Sequence, residues 1–290
     1  MKKIIALLLL LLTLLGCAAA HAEVERSPLL DAAFTMLEKD NIFQRRYNEI
    51  TGANVESYFE TGLPYFFGGK EGEKVLSKLP YFSQRKCWET TKFYRKNSWY
   101  LQGFDCSGYT RWIYKQVGLP EHDDLDNMIL HWRYQDEGYH LYNHRPGHEM
   151  PPYDQLKDHL VVGDLLVSKV SARHIMMYIG TLRDYGFTAE EVPELADYLD
   201  YPLAIHCGPH PKYGERIQNY LDANRDRYKN TKTTNGGVAV SIIGVPLEAA
   251  THHEFVQVSD FYYFMLDNDT TAMTIWDLPS ATSFCWFRMK

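Results

Sequence analysis

The chain predicts an α+β fold with a candidate nucleophile at the start of a helix. Three observations lead there. Apolar residues recur at helical spacing early in the chain, short apolar runs of strand type follow residue 160, and a helix start falls between them. That start is the run Gly103-Phe104-Asp105-Cys106-Ser107-Gly108. No internal repeat interrupts this order.

The elements follow in sequence. Residues 27–50 read as one helix, with Ser27 as its cap, Pro28 in the first turn, and Leu30, Phe34 and Leu37 on one side. Gly62-Leu63-Pro64-Tyr65-Phe66-Phe67-Gly68-Gly69 is an aromatic stretch bracketed by turn residues. Residues 70–101 are polar and mixed, as expected of an insertion with short elements. From Ser107 to about Val117, Trp112, Ile113 and Val117 give a helix an apolar side. Residues 121–160 form a second irregular stretch, with a short helix expected near Leu125–Tyr134. Strands are then expected at Leu160–Ser168 around a Gly163-Asp164 turn, at His174–Gly180 and at Pro202–His206. A helical insert near Thr188–Leu199 separates the last two. Later strands fall at Val238–Val245, Phe261–Leu266, Met273–Trp276 and Phe284–Phe287.

The first 22 residues set an expected compartment. Lys2 and Lys3 precede an apolar run, Ile4 to Leu15, that is shorter than the about 20 residues of a membrane span and has the size of a signal-peptide core. Ala20-His21-Ala22 is a small-x-small cleavage site before Glu23. Leu14-Leu15-Gly16-Cys17 also resembles a lipobox, in which Cys17 would carry a lipid anchor. Either exit implies an exported protein, at the cell envelope or secreted. Without Lys2 and Lys3 the formal charge of -7 becomes -9. That balance argues against nucleic acid as a partner. Cys87, Cys106, Cys207 and Cys285 would remain, with no CxxC spacing, so disulfides are optional.

Cys106 carries the chemistry. A thiolate is stabilised at a helix N-terminus and beside an imidazolium. Asp105 is a natural cap whose charge opposes the thiolate. Gly103 and Gly108 would let a substrate backbone come close. The partner must be a histidine from elsewhere, and the chain has 12. His174 opens an apolar strand and His206 closes another, so both imidazoles can meet one helix end. His131, His140, His144, His148 and His159 form no H-E-x-x-H and are broken by Pro146 and Gly147. They read as solvated loop residues rather than metal ligands. Cys207 follows His206 directly, faces the other side of its strand and reads as core.

These residues carry a resemblance. The run Gly103 to Tyr109 resembles the nucleophile motif of the NlpC-type cell-wall peptidases, a papain-like group. Gly163-Asp164-Leu165-Leu166 followed by His174-Ile175-Met176-Met177-Tyr178-Ile179-Gly180 is similar to the strands that carry the family's base. Ile205-His206 matches the orienting position, and Pro64 to Gly69 the Pro-Tyr-x-x-Gly-Gly segment. The resemblance covers residues 62–210. It implies a papain-like α+β fold with the nucleophile's helix packed on an antiparallel sheet, a Cys106-His174-His206 catalytic set and substrate-amine recognition by Tyr65, Asp105 and Ser107. It also implies peptidoglycan stem peptides as substrate, cut at γ-D-glutamyl-diamino acid bonds, with no metal or organic cofactor.

The chain departs from that pattern by enlarged insertions near 70–101, 121–160 and 181–201. The resulting domain reading is a signal peptide at 1–22, a helical segment at 23–60 and a catalytic domain at 61–290. An amidase or acyltransferase with the same triad stays open, as does a non-catalytic wall-binding module on a degenerate peptidase fold. Tyr65 as packing, Asp105 as only a cap and Ser107 as only a first-turn residue stay open too.

Overall fold

The computed structural model describes residues 24–122, 139–143, 152–168, 174–208, 211–234, 236–243, 262–263 and 284–289. The expected signal segment with Cys17, the helix near Leu125–Tyr134 and the strand Met273–Trp276 lie outside these residues.

The expected single helix over 27–50 is two, α1 (Pro28–Phe34) and α2 (Ile42–Thr51). The break has a local cause. Asp40 adopts φ 60° in the left-handed region, and the Asn41 side chain accepts from the Phe43 N–H at 2.9 Å to start a new helix. Ser27 precedes α1 but its side chain makes no capping bond. Both helices bury aromatic side chains, and Phe34 meets Tyr47 edge to face at 5.1 Å.

The 70–101 insertion contains α3 (Gly72–Leu76), β1 (Gln84–Lys86) and β2 (Trp99–Leu101). Next comes α4 (Cys106–Gln116), followed by β3 (Tyr139–Asn143), β4 (Leu165–Ser168) and β5 (His174–Thr181). After a 3-10 turn at Pro193–Tyr198 come β6 (Pro202–Gly208), α5 (Pro211–Ala223), β7 (Thr231–Lys232) and β8 (Gly237–Ile242). The last strands are β9 (Tyr262–Tyr263) and β10 (Phe284–Met289). The sequence reading lacked α5, β3 and β7. β1, β2 and β7 make a small sheet in which β2 and β7 run parallel.

The main sheet has the order β3-β10-β4-β5-β6-β8-β9, antiparallel except for the β8–β9 pair. β5 and β6 are buried along their whole length, which is why they read as unbroken apolar runs. Alternation sends Val167, Ile175, Met177, Ile205 and Cys207 into the core shared with Tyr109 and Ile113 of α4. It sends Leu166, Met176 and Ala204 to the other face, against Leu156 and Trp286. The architecture is mixed α+β. Leu30, Phe34, Phe43 and Tyr47 join the same core as α4, so residues 24–60 pack as part of this body. Among the described residues no helix is long and apolar enough to cross a membrane.

Two tyrosine hydroxyls fix α4 on both sides. Tyr109 donates to the Ala33 carbonyl at 2.8 Å, and Tyr114 to the Gly163 carbonyl at 2.7 Å. The adjoining Asp164 is 2% exposed. Its carboxylate accepts from the Val161 N–H at 2.9 Å and from both Nε and Nη2 of Arg288, at 2.9 and 2.6 Å. A fork-to-carboxylate pair over a buried acid is a strong tie, because losing the cation strands the charge. Arg288→Ala should therefore lower unfolding stability by about 2 kcal/mol. Urea denaturation checks this, and an unchanged midpoint would show that the pair contributes nothing.

Candidate active site

The site is built on a backbone contact between two glycine-bearing segments. Phe66 N–H donates to the Phe104 carbonyl at 2.8 Å, and Asp105 N–H to the Gly69 carbonyl at 3.0 Å. The approach is too close for side chains. A Cβ at Gly103 would lie 1.6 Å from the Pro64 oxygen, and one at Gly108 would lie 2.0 Å from the Gly69 oxygen. The expectation that these glycines open a path for a substrate backbone is corrected, since the chain's own backbone fills that space.

Asp105 caps α4. Its Oδ1 accepts from the Gly108 N–H at 2.6 Å and from the Ser107 hydroxyl at 3.1 Å, while Oδ2 accepts from the Gly68 N–H at 3.1 Å. Both side chains are buried, with Asp105 7% and Ser107 5% exposed. Their polar atoms thus serve the helix start first. Burial raises the Asp105 carboxyl, and the Gly108 N–H is the strongest influence holding it down. Tyr65 is also buried. Its phenol is pushed well up by desolvation and next by the charge of Cys106, which places the two side chains within each other's field.

Cys106 occupies the first position of α4 and keeps part of its surface exposed. Burial and then the Asp105 charge push its thiol up to about 12. The N–H groups of Ile175, Ser107 and Cys106 itself act in the opposite direction without prevailing. The Ile175 N–H belongs to the residue after His174, so β5 brings its first residues to the sulfur.

His174 and His206 lie on neighbouring strands and touch. Nε2 of His174 and Nδ1 of His206 are 3.1 Å apart, with the rings edge to face at 4.9 Å between centroids. Gly208 leaves them room, since a Cβ there would meet His174 Cε1 and His206 Nδ1 at 3.0 Å each. Burial drives His174 down to about 3, so near neutral pH both imidazole and thiol rest uncharged. On its other side, His206 Nε2 lies 2.9 Å from the Ser241 hydroxyl.

Gly208 and Ser241 were not singled out from the sequence. Ser241 left a readable signal, a lone hydroxyl inside the apolar strand Val238-Ala239-Val240-Ser241-Ile242. Cys207 turns to the core, as expected, with its sulfur 3.2 Å from the Phe104 carbonyl. Cys87, Cys106 and Cys207 are free thiols. Among the described residues no group of three or more His, Cys, Asp or Glu side chains is placed to hold a metal ion. His131, His144, His148 and His210 lie outside them.

The insertion at 70–101 wraps the Pro64–Gly69 segment with aromatics. Phe66 stacks on Tyr94 at 4.7 Å, Phe67 on Phe93 at 4.3 Å, and the Tyr94 hydroxyl donates to the Phe67 carbonyl at 2.9 Å.

A mixed α+β frame with a thiol at a helix start and two histidines in contact on neighbouring strands is consistent with the papain-like fold. Residues 62–184 match the model of the NlpC/P60 family. The match spans the aromatic Gly-Gly segment, the Cys106 run and the His174 strand, and it supports a cell-wall peptidase-family function. No curated protein and no solved structure matched the chain.

Two outcomes are expected of the histidine pair. Gly208→Ala should separate the rings and reduce turnover about a hundredfold with modest loss of stability. Steady-state kinetics beside a thermal melt check this, and unchanged turnover would mean the pair tolerates the methyl. The second outcome concerns pH. Folded His174 stays neutral down to about 3, whereas the unfolded residue titrates near 6.5. The unfolded state then binds the extra proton between those values. Stability is unaffected above 6.5 and falls as pH drops through this window. Wild type should lose stability faster than His174→Asn on going from about pH 7 to about pH 4 in urea titrations. Parallel curves would contradict it.

Proposed function

We propose that the protein is an exported cysteine peptidase that hydrolyses amide bonds in peptidoglycan stem peptides, of the γ-D-glutamyl-diamino acid type. The observation that carries this reading is the 3.1 Å contact of His174 with His206, on strands that bring the Ile175 N–H to the Cys106 sulfur. The NlpC/P60 match over 62–184 supports the substrate class.

In this reading Cys106 Sγ attacks the scissile carbonyl. The resting pair is uncharged, so the thiol proton passes to His174 as the carbon–sulfur bond forms. His174 then gives that proton to the departing amine, leaving a thioester. Water adds to the thioester with His174 as base, and the acid is released with the thiol restored. His206 lies at Nε2 of His174, and this reading assigns the transfers to Nδ1. This reading assigns the Cys106 N–H, at the start of α4, as a donor to the developing oxyanion.

In this reading the Asp105 carboxylate and the Tyr65 phenol favour a substrate ammonium through their field, although the Asp105 oxygens already accept from Ser107, Gly108 and Gly68. No metal or organic cofactor has a step in this scheme. The basic head and apolar run at residues 2–15 support export, and the Leu14–Cys17 run adds a lipid anchor on Cys17 to the proposal.

Mass spectrometry of muropeptide digests tests the reading. Wild type should release fragments with a new free amino group on the stem peptide, and Cys106→Ala should lose this release by about a thousandfold or more. Equal digestion by the variant would refute the mechanism.

A further inference from the structure

We propose that the hairpin of β1, β2 and the loop between them is a docking surface for an anionic phospholipid bilayer. The inference goes beyond the hydrolase reading and does not depend on it.

Charge is the first observation. In the whole chain acidic residues outnumber Lys and Arg, 37 to 30. Residues 84–101 reverse the balance, with Arg85, Lys86, Lys92, Arg95 and Lys96 against one acid, Glu89. Among the described residues none of these five cations is in an ion pair. Salt screens charge over about 8 Å under physiological conditions, so a surface at the hairpin meets these cations rather than the net charge. Large apolar side chains are exposed beside them. Trp88 is 67% exposed and Trp99 41%. Phe67, on which Phe93 of the loop stacks, is 51% exposed.

The hairpin holds these groups outward. Its register pairs Arg85 with Tyr100 and Lys86 with Trp99. Tyr100 and Cys87 are buried with Phe66 and Tyr94, so alternation leaves Lys86 and Trp99 on the opposite side. Lys86 Nζ lies over the Trp88 ring, 4.6 Å from its centroid. The two arms stay joined past the strands. Cys87 N–H donates to the Ser98 carbonyl at 2.9 Å, Asn97 N–H to the Cys87 carbonyl at 2.7 Å, and Lys96 N–H to the Thr90 hydroxyl at 3.2 Å. The use of the rings points to the occupant. A stacking platform for bases presents free ring faces. Here Trp88 has one face under Lys86, and Phe67 and Phe93 each have one face on the other. Ring edges and apolar bodies beside cations remain, the combination that settles at the headgroup level of a bilayer. Anionic headgroups supply the counter-charge that the five cations lack.

Sedimentation of the full-length protein with vesicles tests this. Vesicles of phosphatidylglycerol mixed with phosphatidylcholine should bind wild type about tenfold or more tightly than phosphatidylcholine alone. Changing Lys92, Arg95 and Lys96 together to Glu should weaken binding to the anionic vesicles by about a hundredfold or more. These three residues are exposed and lie outside the thiol–histidine site. Trp88→Ala should weaken binding by about tenfold. Lipids brominated on the acyl chain should quench wild-type fluorescence more than that of Trp88→Phe. The apolar run at residues 4–15 holds no tryptophan and is common to every protein compared, so neither difference arises from it. Three results overturn the proposal. They are equal binding to both kinds of vesicle, unchanged binding by the charge-reversed protein, and equal quenching of wild type and Trp88→Phe. The last would make the hairpin a site for a soluble polyanion such as nucleic acid. No wall substrate is used, so failure of the hydrolase reading shows in the muropeptide digest alone.

Discussion

The fold around the site depends on one contact, the face-to-face approach of the Pro64–Gly69 and Gly103–Gly108 backbones. Hydrogen bonds from Phe66 and Asp105 close it, and no Cβ fits at Gly69, Gly103 or Gly108. Backbone polar groups buried at this depth must find partners, and here they find each other. The contact fixes where Asp105 sits. Asp105 then fixes the first turn of α4 by accepting from Gly108 and Ser107. Cys106 is held by the same turn, so its position follows from main-chain geometry rather than from side-chain packing.

That arrangement has an electrostatic cost. The carboxylate that caps the helix lies against the sulfur and joins burial in disfavouring the thiolate, while the available N–H groups do not compensate. On the opposite side, His174 is buried too deeply to hold a proton at rest. Both partners start neutral, so charge is created only as the reaction proceeds. His206 stands between two polar neighbours in this site, 3.1 Å from His174 and 2.9 Å from the Ser241 hydroxyl.

The local chemistry was more legible in the sequence than the long-range pairing. The Asp-Cys-Ser-Gly helix start, the strand after His174 and the strand before His206 follow from caps and periodicity, which act over a few residues. The continuous helix over 27–50 failed because helical spacing does not register the left-handed Asp40 or the new cap at Asn41. Gly208 was opaque for another reason. Its value lies in an antiparallel neighbour, and register with β5 cannot be read from a lone glycine. Ser241 was visible as an oddity, a hydroxyl in an apolar strand, but its partner was not. The insertion at 70–101 was seen as an insertion. Its role in packing Tyr94 and Phe93 against Phe66 and Phe67 needed coordinates.

The position of β10 bears on the order of assembly. This strand comes from residues 284–289 yet lies between β3 and β4, and its Arg288 locks the turn that leads into β4. Until it docks, β4 is a bare sheet edge one strand away from His174, with its amide and carbonyl groups open to any neighbouring chain. The central strands that bear the histidines can pair among themselves earlier, since β5 and β6 are consecutive strands and β8 follows after only α5 and β7. The site therefore gains its last support from the most distant pairing in the sheet, the slowest kind to close. A chain held back before that step would carry its histidines and its thiol on an unfinished sheet open to association with other chains.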